Sequence, residues 1–163
     1  MSTSNDRVLS LKKLASVADE LRKENRRIVF TNGCFDILHV GHLRYLDEAA
    51  RQGDILVVGI NSDNSVKSLE KGDERPIVPQ NERAELVAAL KPVDYVVIFD
   101  EPDPLETILV VRPDVLVKGA DWEEEDIIGA KEVKSWGGIV FRALLVQNRS
   151  TTDIIEKIRG LKK

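Results

Sequence analysis

Apolar positions along this chain change their period several times, and each change marks an element. Leu11, Leu14, Ala18 and Leu21 recur at helical spacing, which predicts a helix over 10–25. The run Ile28-Val29-Phe30-Thr31-Asn32 predicts a buried strand over 27–32, closed by Gly33. Leu43, Leu46 and Ala50 predict a helix that starts near Gly41 and ends near Gly53. Residues 55–60 are apolar in succession rather than in alternation, as in a strand of a parallel sheet covered on both faces. A short helix over 63–69, a polar loop with two prolines over 71–79, a helix over 82–90 and a strand over 95–99 follow. Asp103-Pro104-Leu105-Glu106 reads as a helix start, with a cap, a proline at the first position and an acid in the first turn. That helix must stop before Pro113. The remaining pattern predicts a strand over 115–118, a helix over 124–136 closed by Gly137-Gly138, and a strand over 139–144. Ser150-Thr151-Thr152-Asp153 then opens a last helix with Ile154, Ile155, Ile158 and Leu161 inward.

Five strands alternating with helices imply an α/β fold, a doubly wound, mostly parallel five-stranded sheet of Rossmann-like type. Residues 1–9 are expected to be a loose tail and 10–163 a single domain. The chain has 163 residues, 42% hydrophobic and 32% charged, enough to bury a core without staples. A formal charge of −4 disfavours non-specific nucleic-acid binding, although a local basic pocket for a small anion remains compatible with it. One cysteine cannot form an internal disulfide, which points to a reducing cytoplasm. The apolar runs are too short to span a bilayer, and the first residues lack a signal-peptide core, so no membrane association is expected.

In such sheets ligands bind beyond the carboxyl ends of the strands. The first strand is followed by Thr31-Asn32-Gly33-Cys34-Phe35-Asp36-Ile37-Leu38-His39-Val40-Gly41-His42, which carries both histidines of the chain. A helix starting near Gly41 offers first-turn amides to an anion, and glycine lets a ligand approach closely. His39 and His42 would face that anion as hydrogen-bond donors. No GxxxxGK[ST] or GxGxxG loop occurs. Three rival readings apply to the same residues. The histidines can simply cap or pack; Cys34, Asp36, His39 and His42 can be read as a metal site, without the spacing of a zinc motif; and Cys34 can be read as a nucleophile, against its position at a strand end where an inert thiol is usual.

The segment GCFDILHVGH, with KGADW at 118–122 and RSTTDII at 149–155, resembles the HxGH nucleotidyltransferase superfamily, which includes the cytidylyltransferases. TNGCFD, NSDNSVK, ERPIVPQNERAELVAAL and IIGA followed by WGG make the chain most similar to the heptose 1-phosphate adenylyltransferase branch. Related cytidylyltransferases usually carry threonine where this chain has Cys34, and the one departure is Asn148-Arg149, where many relatives have glycine and an apolar or aromatic residue.

The resemblance implies a role for each matching residue. His39, His42 and Lys67 would be catalytic, holding the triphosphate and offsetting the charge that builds at the α-phosphate. Thr31, Asn32, Gly33, Cys34, Phe35, Gly41, Lys118, Gly119, Asp121, Trp122, Ser150, Thr151 and Thr152 would bind the nucleotide. Asp36, Arg75 and Arg83 would bind the second substrate. The implied reaction is adenylyl transfer from ATP to a sugar 1-phosphate, D-glycero-β-D-manno-heptose 1-phosphate, giving ADP-heptose for the lipopolysaccharide core and pyrophosphate. Mg2+ would ride on the triphosphate, with no certain protein ligand, and the enzyme would be a cytoplasmic homodimer. A glycerol-3-phosphate cytidylyltransferase is the nearest alternative. A nucleotide-binding regulatory module without turnover, and an RNA-binding role, are further from the motif set.

Overall fold

The computed structural model describes residues 4–69, 74–144 and 150–161. The elements run β1 (Val8–Leu9), α1 (Leu11–Lys23), β2 (Ile28–Gly33), α2 (Val40–Ala50), β3 (Ile55–Asn61), α3 (Asp63–Ser68), α4 (Gln80–Ala88), β4 (Tyr95–Phe99), α5 (Leu105–Val111), β5 (Val115–Gly119), α6 (Ala130–Ser135), β6 (Ile139–Ala143) and α7 (Thr151–Gly160). All strand pairs are parallel, in the order β1-β4-β3-β2-β5-β6.

Strand periodicity divides the core in two. Val29, Leu56, Val58, Ile60, Val96, Val115 and Val117 face one side, where α2 and α4 cover them with Leu46, Ala49, Ala84, Val87 and Ala88. Ile28, Phe30, Val57, Val97 and Leu116 face the other, under Leu14, Ala18, Leu21, Ile108, Val111 and Val133 of α1, α5 and α6. Burial on both faces is why these strands carry no polar alternation.

Local chemistry sets the helix ends. Ser10 and Ser150 cap α1 and α7, accepting from the amides of Lys13 and Asp153. Asp103 accepts from the Leu105 amide at the start of α5, so the acid caps that helix although Pro104 is its boundary residue.

Four expectations are corrected. The sheet has six strands, because Val8 and Leu9 pair with Val96 and Val97. Residues 4–9 are therefore not a loose tail: Ser4–Arg7 forms a 3-10 turn, and Arg7 donates to the carbonyls of Ala88 and Val93. A two-residue strand is too short to show a period. The helix expected over 124–136 is interrupted: Glu124–Asp126 is a 3-10 turn and α6 begins only after Gly129. Gly129 sits at φ 86°, and a Cβ there would lie 2.6 Å from Ile108 Cδ1. Finally, Ile158 and Leu161 are 58% and 70% exposed rather than inward.

Following the chain, β2, β3 and β4 step toward one edge, and β5 and β6 then step the other way from β2. The direction reverses between β2 and β5, and the carboxyl ends there open into a crevice.

Candidate active site

A cavity of about 850 Å³ occupies that crevice. Its floor is the turn after β2, with Asn32, Gly33, Cys34, Phe35 and Asp36, and the start of α2, with His39, Gly41 and His42. Lys118, Gly119, Asp121 and Trp122 form the wall on the β5 side, and Ser150, Thr151 and Thr152 bring the start of α7 to it. On the other side stand Asn61 at the end of β3, Pro102-Asp103-Pro104 after β4, and Arg75.

His39 is the N-cap of α2, and its Nδ1 accepts from the Gly41 amide at 3.1 Å. That bond places the proton of the neutral ring on Nε2, leaving a donor on the far side of the ring. His42 stacks on His39, with ring centroids 3.8 Å apart. Its Nδ1 is buried and has no hydrogen-bond partner among the described residues. Burial, with the neighbouring His39 as the second cause, pulls the His42 imidazole down from 6.5 to about 4. The His42 ring thus enters the site neutral, and both rings sit at a helix start whose first amides lack intrahelical acceptors.

The cations are few. Lys118 Nζ donates to Asn32 Oδ1 at 2.5 Å and lies 6.0 Å from the centre of the half-exposed Trp122 ring. With the start of α7 this makes one side of the cavity suited to phosphate and to a flat aromatic group. Tyr45, one turn beyond His42, shares a hydrogen bond of 2.7 Å with Thr31 Oγ1, and both hydroxyls reach the Val117 carbonyl. Burial above all pushes the Tyr45 phenol up to about 12, so it stays a neutral strut between α2 and β5.

Most of the residues expected from the motifs meet here; Thr31, Lys67 and Arg83 lie outside the wall, and Asp36 lies in it with its carboxylate turned away. Thr31 is fully buried, bonded to Tyr45 and Val117, and outside the cavity wall. Lys67 is exposed on α3 and also outside the wall. Arg83 is 0% exposed: it donates to the Val78 carbonyl, the Cys34 carbonyl and Asp63 Oδ1, so all three of its guanidinium nitrogens are engaged beneath the site. Asp36 lies in the wall, but its carboxylate is turned to Arg75 Nε and to the amides of Ile77 and Val78. Asn148, Arg149 and the first part of the 71–79 loop lie outside the described residues.

Tyr45, Asn61, Leu69, the Pro102–Pro104 turn, Asp126, Ile127 and Ile128 line the cavity although the sequence gives them no site role. Tyr45 was within reach, since it lies three residues after His42 on one helix face. Asn61 and the turn after β4 follow strand ends, where the fold rule already points. Ile127 and Ile128 carry only the branch resemblance of IIGA and no site role, because the break at Gly129 looks in sequence like continuous helix.

A family model described as cytidylyltransferase-like matches residues 30–157. The bifunctional protein HldE of Syntrophotalea carbinolica is 54% identical over 146 residues, covering 88% of this chain and 30% of that protein. HldE of Geotalea uraniireducens is 51% identical over 156 residues, covering 96% of this chain and 32% of that protein. The chain thus spans just under a third of the length of these curated relatives. Among solved structures, the lipopolysaccharide core biosynthesis protein of Thermoplasma volcanium aligns with TM-score 0.63 at 31% identity, over 76% of this chain and 99% of that one. A pantoate–beta-alanine ligase from Francisella tularensis shares the fold, with TM-score 0.62 at 16% identity over 94% of this chain and 78% of that one. With a histidine pair at one helix start, a hydroxyl-rich second helix start and a lysine between them, and with the family match over most of its length, the chain belongs to the cytidylyltransferase-like family of nucleotidyltransferases.

Proposed function

We propose that the chain transfers the adenylyl group of ATP to D-glycero-β-D-manno-heptose 1-phosphate, releasing pyrophosphate and forming ADP-heptose. The observation that carries the reaction type is the convergence of His39, His42, Lys118 and the start of α7 on one cavity. The choice of substrates rests on the heptose-branch motifs and on the similarity to the HldE proteins.

The sugar phosphate is already ionised at neutral pH, so attack on the α-phosphorus needs positioning rather than a strong base. An oxygen of the sugar phosphate bonds to the α-phosphorus in line as the bond to the bridging oxygen breaks, and pyrophosphate leaves with that electron pair. His39, fixed by its bond to Gly41, would donate from Nε2 to an oxygen where charge accumulates, and His42 would donate beside it. Lys118 and the helix start at Ser150 would hold the remaining phosphates, and Trp122 would lie against the base.

Among the described residues no three His, Cys, Asp or Glu side chains are set to cage an ion. The donor set fits Mg2+ carried on the triphosphate, with Asp103, Asp121 and Asp126 in the wall to accept from its water ligands. Bound there, the ion would offset phosphate charge. The homodimer and the cytoplasmic setting belong to this reading through the family resemblance; no described helix is long and apolar enough to cross a membrane.

The test is a pyrophosphate-release screen crossing ATP, CTP, GTP and UTP with phosphorylated sugars and polyols. ATP with the heptose 1-phosphate should be the best pair. Equal or better release from CTP with glycerol 3-phosphate would overturn the substrate assignment and leave the reaction type in place.

A further inference from the structure

Asp36 was expected to touch the second substrate or a metal, but its surroundings give it other work. Its side chain is 0% exposed. It accepts from Arg75 Nε at 2.5 Å, from the Ile77 amide at 2.8 and 3.1 Å, and from the Val78 amide at 2.9 Å. Three N–H donors thus meet it, the Ile77 amide shared between both oxygens, so the buried carboxylate is turned to the loop rather than to a sugar hydroxyl or a metal.

What this holds is the segment from Arg75 to Val78, which brings Arg75 to the cavity just before α4 begins. Arg83 secures the same junction from below, bridging the Cys34 and Val78 carbonyls. Between them Phe35 adopts φ 48°, a left-handed backbone that costs an L residue about 1 to 2 kcal/mol and persists only where the surroundings fix it. Arg75 is the group this assembly presents. Its Nε is tied to Asp36, it lines the cavity, and Nη1 and Nη2 make no hydrogen bond among the described residues. A guanidinium held by Nε keeps its outer edge as a fork for a bidentate oxyanion.

We infer that Arg75 is the clamp for the acceptor's phosphate, and that Asp36 is a positioning residue acting through Arg75. This deepens the nucleotidyl-transfer reading and rests on it for the identity of the acceptor. Arg75 lines the same cavity as His39, His42, Lys118 and the start of α7, so an acceptor phosphate held there would share one crevice with the nucleotide, as an in-line reaction requires.

The test is calorimetric titration of D-glycero-β-D-manno-heptose 1-phosphate into enzyme saturated with α,β-methylene-ATP, which fills the nucleotide side and cannot be cleaved. The analogue alone is titrated in parallel. Arg75→Ala should weaken sugar-phosphate binding by about tenfold or more, and analogue binding by less than about twofold, as expected for loss of a bidentate charged contact on one side only. Arg75→Lys should recover part of the loss. Asp36→Asn should weaken the sugar phosphate and spare the analogue, and the double variant should bind no worse than Arg75→Ala alone, because both changes remove one coupled unit. Asp36→Glu, which keeps the charge but moves it along the loop, gives the same substrate split if Asp36→Asn does not fold.

The subsite is overturned if Arg75→Ala binds the sugar phosphate like the wild type, if it weakens the analogue equally, or if the wild type binds no sugar phosphate beside the analogue. Additive losses in the double variant overturn the positioning role. Arg75-dependent binding without pyrophosphate release refutes the proposed reaction and leaves the subsite standing. Turnover of the heptose phosphate that ignores Arg75 does the reverse.

Discussion

His42 offers a quantitative test because the chain holds only two histidines, and each imidazole can be followed without overlap from others. In the folded protein its ring is pulled from 6.5 to about 4, first by burial and then by His39. The sign follows directly. Between those two values the unfolded chain binds a proton that the folded one refuses, so folding is favoured above pH 6.5 and loses that advantage as pH falls toward 4. At about 1.4 kcal/mol per unit the full effect is near 3 kcal/mol, reduced to about 2 to 3 kcal/mol because some water still reaches the ring. By pH 5 about half of it, roughly 1 to 1.5 kcal/mol, should be gone. Urea unfolding at pH 7 and pH 5, in the wild type and in His42→Gln, isolates this share: the wild type should lose about 1 to 1.5 kcal/mol more than the variant. Imidazole nitrogen shifts followed by NMR should show His42 still neutral at pH 5. A His42 that titrates near 6.5, or equal pH slopes in the two proteins, would refute the burial argument and with it the claim that the ring enters the reaction neutral.

His39→Ala and His42→Ala should each lower pyrophosphate release by about 10²-fold or more while leaving far-UV circular dichroism intact, since each deletes a preorganised donor. Arg83→Met should cost about 3 to 5 kcal/mol in urea unfolding, because it strands Asp63 and two carbonyls, and Arg83→Lys should rescue little, since one ammonium cannot span three acceptors. Tyr45→Phe should cost only about 1 kcal/mol, because Thr31 keeps its bond to Val117; a loss above about 3 kcal/mol would show a larger role for the phenol. Lys67→Ala should keep kcat/KM within about threefold, as an exposed side chain outside the cavity wall contributes only screened charge; a far larger drop would mean that α3 reaches the site during turnover.

The sheet was legible because its strands are buried on both faces, which leaves unbroken apolar runs such as 55–60. The helix starts at Ser10 and Ser150 were legible because one hydroxyl decides each. What escaped was decided by distant contacts. Val8 and Leu9 become a strand because β4 offers them an open edge. Gly129 breaks its helix with a left-handed φ of 86°, at a place where a Cβ would meet Ile108 of another element. Ile158 and Leu161 follow helical spacing, yet spacing reports a stripe and not whether anything lies beneath it.

The two arginines show why residue identity alone could not assign the site. Arg75 and Arg83 lie eight residues apart in one conspicuous stretch, and both were expected to bind the second substrate. A guanidinium brings the same five N–H donors to either place, so its function is set by how many the protein has already engaged. At Arg83 every nitrogen has an internal acceptor and no surface is exposed, so the charge serves to join the turn after β2 to the segment before α4. At Arg75 one nitrogen is tied and the outer edge borders the cavity, so the charge remains available to a ligand. The same rule reassigns Asp36, which resembles a ligand carboxylate until its three internal donors are counted. In this chain the motif places the charges at the crevice, and the remaining hydrogen-bond capacity decides which of them can meet a substrate.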